Sequence, residues 1–360
     1  MRAANLACST LLLLVMSVPA TIATAQTGNA ASPPLGKLID VGGYRVHLYC
    51  AGNGGPPVII AGGGYSFDWG LIQPEVAKFT EVCAYDHSGI GWSDSGPADS
   101  CGLRVDEIHT ALRNAGFKGP YVLIGYSLGA LVVRLYAAQY PNEVAGVVFV
   151  DHAVLVRLPP RHPLAVPTTP VPKSDKPAPV LIGMDEDPNF KKLPPDDQRL
   201  HLWAASQSKD QAALQGNMRM MPQCTADADA VVKKHPNPLG NRPLVDISTD
   251  DGDQIPDYAK LQSELLSLSN DSKQIVAKNS GHFVIIDRPD VVVDGIRQVV
   301  DAVRTKGKLS GSTAAFDQRR WPGATARVDP SSRASSASEA LAGAGGTAWC
   351  LTNASHAVGC

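Results

Sequence analysis

From residue 37 onward, short runs of β-branched and aliphatic residues alternate with longer stretches at helical spacing. That alternation is the pattern of a parallel sheet covered on both faces. The strand-like runs fall at residues 37–41, 44–50, 58–61, 82–85, 121–125, 144–150, 244–248 and 274–277. Gly42-Gly43 between the first two reads as a tight hairpin turn, so the opening pair is expected to be antiparallel. Helices are predicted over 71–79, 105–115, 128–139, 257–268 and 290–303, with Gly116 and the polar stretch 267–270 as stops.

Two regions break the alternation. Residues 153 to about 242 begin rich in proline and then carry a helical stretch from Asp196 to about Met221. So long an insertion between sheet strands is too large for a loop and predicts a helical cap over the C-terminal edge of the sheet. Residues 307–360 are dominated by Ala, Gly and Ser with scattered Arg, a composition that buries little apolar surface, and this tail is expected to be mostly disordered.

The N-terminus has a separate logic. Arg2 is followed by an apolar stretch over residues 6–18, and Ala23-Thr24-Ala25 offers small residues at the positions a signal peptidase reads. The apolar stretch is too short for a stable membrane span, and Pro19 ends it. Residues 1–25 are therefore expected to be a signal peptide cleaved before Gln26, giving an exported protein. Leu6-Ala7-Cys8 resembles a lipoprotein cleavage site but precedes the apolar stretch, which counts against lipidation. The main domain is expected over 26–306.

Charge and cysteines narrow the partners. A net charge of -2, with acids and bases mixed along the chain, leaves no electrostatic footprint for nucleic acid. Six cysteines remain once Cys8 leaves with the signal: Cys50, Cys83, Cys101, Cys224, Cys350 and Cys360. An even count in an exported chain permits disulfides. Cys350 with Cys360 is the expected pair, while Cys83, in an apolar run, reads equally well as a buried free thiol. No ligand cluster of suitable spacing implies a metal, and no organic cofactor is implied.

The chemistry centres on residues 121–136. Tyr121-Val122-Leu123-Ile124 is an apolar β-run, followed at once by Gly125-Tyr126-Ser127-Leu128-Gly129 and then by an apolar helical stretch. A G-x-S-x-G between strand and helix puts its serine on a strained turn, with glycines removing side chains that would strike the neighbouring elements. The hydroxyl then projects at the positive end of the following helix. An ordinary glycine-bracketed turn is the plain alternative, and the strand and helix on either side argue against it.

On these residues the chain resembles the α/β-hydrolase superfamily, over roughly residues 37–305 without the cap. Ala61-Gly62-Gly63-Gly64 stands where the family places its oxyanion-hole loop, and 85–93 looks like the family's Asp-x-x-Gly-x-Gly-x-Ser turn. Ser280-Gly281-His282 follows the last strand, where the family carries its catalytic histidine. Ala61 and Tyr126 depart from the pattern, since many relatives carry histidine at both positions. The resemblance implies a mostly parallel eight-stranded sheet with helices on both faces and an inserted helical cap.

A serine nucleophile needs a base. Of the nine histidines, His282 alone lies on a turn just after the final strand. His47 and His109 are expected on solvated faces, and His87 could line the pocket. His152 begins the cap, and His162, His201, His235 and His356 lie in cap or tail. The backbone N–H groups of Leu128 and Gly63, with Gly64 as the alternative to Gly63, are the expected oxyanion donors. The orienting carboxylate is Asp251, beyond strand 244–248, or alternatively Asp151 at the end of strand 144–150. Asp250 and Asp253 are neighbours of the first, and Asp246, inside its strand, reads as an unusual core or edge residue.

The expected reaction is hydrolysis of an ester-like bond in a small-molecule substrate through an acyl-enzyme on Ser127. Amide or peptide cleavage on the same residues is the alternative, followed by a non-hydrolytic enzyme on this scaffold. A binding protein with a silent site is a further alternative. Serine at the elbow disfavours an aspartate-nucleophile reaction. Phe190, Trp203, Met218, Met220 and Met221 suit an apolar acyl or alcohol group, but packing of the cap onto the domain is the simpler reading of them.

Overall fold

The computed structural model describes residues 33–152, 183–250 and 258–309. Five expectations fall outside those residues: the signal segment, the first part of the cap, Asp251 with Asp253, the tail, and the Cys350–Cys360 pair.

All eight predicted strands form, in one sheet. They are β1 (Lys37–Asp40), β2 (Arg45–Ala51), β3 (Val58–Ala61), β4 (Val82–Asp86), β5 (Tyr121–Tyr126), β6 (Val144–Val150), β7 (Gly240–Thr249) and β8 (Ser269–Ala277). Their order is β1-β2-β4-β3-β5-β6-β7-β8, antiparallel at β1·β2 and β2·β4 and parallel from there on. Gly42 and Gly43 turn the opening hairpin at φ 116° and 99°, a region open to glycine. The interior strands β3 to β6 are buried almost throughout, hence their unbroken apolar sequence.

The helices are α1 (Gln73–Val76), α2 (Cys101–Asn114), α3 (Gly129–Gln139), α4 (Pro195–Ala205), α5 (Ser208–Lys234), α6 (Tyr258–Leu266), α7 (Val284–Asp287) and α8 (Pro289–Thr305). One core lies between the sheet and α2, α3 and α5; the other lies under α1 and α8. Helix α2 starts four residues before its predicted onset, because the Ser100 hydroxyl caps it by accepting from Leu103 N–H at 3.0 Å.

The cap departs most from expectation. Its predicted single helical stretch is two helices, broken at Ser206-Gln207, and α5 continues through Pro222 to Lys234. Cys224 and Ala228 carry its buried face onto the core of the main domain, so tertiary packing overrides the break that proline would otherwise impose. A smaller apolar cluster, with Tyr65, Phe67 and Ile90 below and Leu200, Ala204 and Ala213 above, joins cap to body. Among the described residues no helix is long and apolar enough to cross a membrane.

Two disulfides are present among the described residues. Cys50 and Cys83 face each other across β2·β4, which corrects the free-thiol reading of Cys83. Cys101, at the start of α2, bonds to Cys224 of α5 and so pins the cap helix to the body across 123 residues of chain. Replacing both Cys101 and Cys224 by serine is expected to lower unfolding free energy by about 4 kcal/mol, because a closed loop of that length restricts the unfolded chain strongly. Urea unfolding of the two proteins measures this, and a loss below about 1 kcal/mol would contradict it.

Candidate active site

The turn after β5 has the shape its glycines predict. Ser127 sits at φ 54°, a left-handed conformation costly for a side-chain-bearing residue. A Cβ on Gly125 would lie 2.5 Å from Cα of Ala130, and one on Gly129 would lie 1.9 Å from the carbonyl oxygen of Ala61. Both glycines are therefore required by close approach: one by the helix that follows, one by the end of β3. The Ser127 N–H donates to Val150 O at 3.1 Å, which ties the turn to the end of β6.

Three side chains meet above this turn. Ser127 Oγ lies 3.2 Å from Nε2 of His282, and Nδ1 of His282 lies 2.6 Å from Oδ2 of Asp151. With Nδ1–H donating to the carboxylate, Nε2 is left as the acceptor for the serine hydroxyl. Asp151, the second choice from the sequence, is thus the carboxylate that touches the histidine. Asp251, the first choice, lies outside the described residues. Its neighbour Asp250 braces the histidine loop instead, accepting from Asn279 N–H at 2.9 Å. Asp287 accepts from Gly281 N–H at 2.8 Å, and the Tyr126 hydroxyl donates to His282 O at 2.8 Å.

The glycine loop after β3 borders the same space. Gly62, Gly63 and Gly64 have φ of 83°, 80° and 110°, and a Cβ on Gly63 would stand 1.8 Å from the Tyr126 ring. Asp68 holds the loop by accepting from Tyr65 N–H at 2.8 Å. Asp86 does the same one residue later, taking the Ser66 N–H at 2.6 Å and hydroxyl at 2.9 Å. Gly63→Ala is expected to displace Tyr126, which anchors His282, and to cut kcat about 10²-fold with little change in KM. Steady-state kinetics decide this; an unchanged kcat would remove Gly63 from the site.

These groups line a cavity of about 500 Å³ that is largely apolar. Met218, Met220 and Met221 of α5 form part of its wall, whereas Trp203 packs on Trp92 (5.5 Å between centroids) and Phe190 on His201 (5.1 Å). The methionines therefore face the cavity, and the two aromatics hold the cap. Sequence reasoning missed Asp68 and gave His201 no role. His201 Nδ1 lies 2.7 Å from Asp68 Oδ1, which joins α4 of the cap to the glycine loop. Burial pulls this imidazole down, but the Asp68 charge and hydrogen bond outweigh it, and His201 sits above its ordinary value.

Four other described histidines have surroundings of their own. His87 lines the cavity as expected, and burial, then the Arg104 charge, hold it well below its ordinary value. His47 is fully buried, with Nδ1 2.7 Å from Asp86 Oδ2, which corrects its placement on a solvated face. His109, also expected there, stacks on Tyr140 at 3.9 Å. Burial, then Arg134, pull the pKa of His152 down to about 3. Among the described residues no group of three or more His, Cys, Asp or Glu side chains is placed to hold a metal ion.

The family model of the alpha/beta hydrolase family matches residues 53–295, from before β3 into α8, and so includes the turn, the glycine loop and the histidine. The chain belongs to that family. An uncharacterised protein of Schizosaccharomyces pombe is 39% identical to this chain over 89 residues, 24% of this chain and 16% of that protein's length. The uncharacterised protein YqjL of Bacillus subtilis is 24% identical over 266 residues, 71% of this chain and 88% of its own. Among solved structures, the epoxide hydrolase CorEH aligns with a TM-score of 0.51 at 16% identity, covering 74% of this chain and 98% of that one, a likeness in fold.

Proposed function

We propose that the protein is an exported serine hydrolase that cleaves an ester-like bond of a small molecule through an acyl-enzyme on Ser127. The observation that carries the reading is the hydrogen-bonded line Ser127–His282–Asp151, with distances of 3.2 and 2.6 Å, beside a glycine loop in a largely apolar cavity. Two disulfides among the described residues favour an oxidising compartment and agree with the signal-like N-terminus.

Catalysis on this geometry runs in two halves. Nε2 of His282 takes the hydroxyl proton as Oγ of Ser127 bonds to the substrate carbonyl carbon, and the oxyanion accepts from the N–H groups of Gly63 and Leu128. Asp151 stabilises the imidazolium. The same proton passes to the departing alkoxide as the ester bond breaks, leaving the acyl group on Ser127. Water, deprotonated by His282, then attacks the acyl carbon and releases the acid and the free serine. The methionine wall suits an apolar acyl or alcohol group, since thioether side chains adapt to varied apolar shapes.

A fluorophosphonate probe tests the nucleophile directly. The full chain is expected to be labelled covalently and Ser127→Ala to remain unlabelled; labelling of both would overturn the assignment. A short-chain ester assayed against its matched anilide separates esterase from amidase, with faster turnover of the ester expected.

A further inference from the structure

Two buried carboxylates belong to the neighbouring parallel strands β6 and β7, one just past the end of β6 and one in the C-terminal half of β7. Asp151 and Asp246 are each 1% exposed. The parallel register sets Phe149 opposite Asp246, and the Asp151 N–H donates at 2.7 Å to the carbonyl of Ile247, the residue after Asp246. Asp151 is the first residue after β6 and sits at φ 42°, a turn held in place by that hydrogen bond to β7.

Each acid has an unsatisfied oxygen. Asp151 gives Oδ2 to His282, and its buried Oδ1 has no hydrogen-bond partner; Oδ2 of Asp246 is buried and equally without one. Two ionised carboxylates are costly together in a buried site with no protein donor for either free oxygen, because each charge penalises the other. One proton resolves both. Its place is Asp246, since Oδ2 of Asp151 already accepts from the imidazole N–H of His282.

We propose that Asp246 is a positioning residue: protonated at Oδ2, it donates a hydrogen bond to Oδ1 of Asp151 and so fixes the carboxylate that orients His282. The inference rests on reading Asp151 as the acid of the catalytic line. Burial, then the charge of Asp151, push the Asp246 carboxyl up to about 7, which agrees with a proton held in the working range.

No described side chain donates to either free oxygen, the buried amide of Gln262 on α6 included. Arg134 of α3 turns to His152 at 3.4 Å and to Asp229 at 3.6 Å, and His152 is held neutral by burial, then by Arg134. On β8 the register partner of Asp246 is Gln274, uncharged, whose amide donates to the Ser248 hydroxyl at 2.9 Å. On α6, Lys260 pairs with Glu264 at 3.8 Å.

The test is a pH profile joined to infrared difference spectroscopy on the full chain. In the wild type, loss of the Asp246 proton puts a second negative charge beside Asp151 and removes its donor, so kcat is expected to fall about tenfold on the alkaline side with KM unchanged. Asp246→Asn keeps a neutral N–H donor at every pH, and is expected to hold near-wild-type kcat around neutrality and to lose that alkaline limb. Asp246→Leu, with no donor, is expected to have a lower kcat at all pH values.

A protonated-carboxyl stretch that disappears as pH rises through about 7 should be present in Ser127→Ala and absent from Ser127→Ala/Asp246→Asn. An unaltered alkaline limb in Asp246→Asn, or no such band in Ser127→Ala, would overturn the proposal. The band needs no turnover, so it reports on Asp246 even where the assignment of Ser127 fails.

Discussion

Ser127→Ala is expected to lower kcat/KM on an ester by about 10⁶-fold, almost all of it in kcat, with stability little changed. Removing Oγ deletes the atom that bonds to substrate, and the His282–Asp151 pair at 2.6 Å then has no hydroxyl to deprotonate. A residual acceleration of about 10³ over water is expected to persist, because the glycine loop and the N-terminus of α3 still present donors to a developing oxyanion. Active-site titration with the fluorophosphonate guards the measurement against traces of wild-type enzyme. An alanine variant that keeps more than about one hundredth of the wild-type rate would end the acyl-enzyme reading.

The second large effect belongs to the carboxylate. Asp151→Asn is expected to reduce kcat about 10⁴-fold while leaving the fold intact. The amide is nearly isosteric, but its NH₂ can turn toward Nδ1 and force the proton onto Nε2, the tautomer that cannot accept from Ser127. The line Ser127–His282 at 3.2 Å would then exist in the wrong protonation state. Asp251→Asn is the paired control and is expected to stay within a few-fold of wild type. Comparable losses at both positions, or a loss only at residue 251, would reassign the acid.

Ser127 and His282 were legible because each is marked locally. The serine sits between an apolar strand and a helix, with glycines at the two points where an added Cβ would meet neighbouring backbone at 2.5 and 1.9 Å, and the histidine follows the last strand. The carboxylate partner of His282 was not legible, since Asp151 and the acids from 250 to 253 all follow predicted strands in the sequence. What distinguishes Asp151 is a contact across 131 residues. Asp68 escaped notice for the same reason: its meaning lies in a bond to His201 from an inserted helix 133 residues away.

The fold was readable where burial is two-sided, as in β3 to β6, because an interior strand must be apolar throughout. At the sheet edge that constraint lapses. β8 begins with Ser269-Asn270-Asp271-Ser272 and is half-exposed along most of its length, so only its last four residues carried a strand signal. The cap was read as one helix because nothing in its local pattern marks the break at Ser206-Gln207, and its run beyond Pro222 depends on a disulfide and a core that lie elsewhere in the chain.

The bond between Cys101 and Cys224 also decides how the molecule meets a protease. A single cut anywhere between those two residues leaves both fragments tethered, so they separate on a gel only after reduction. Ser127 and the methionines of α5 lie within that closed loop, and nicking its backbone does not by itself release the wall of the cavity from the serine it encloses.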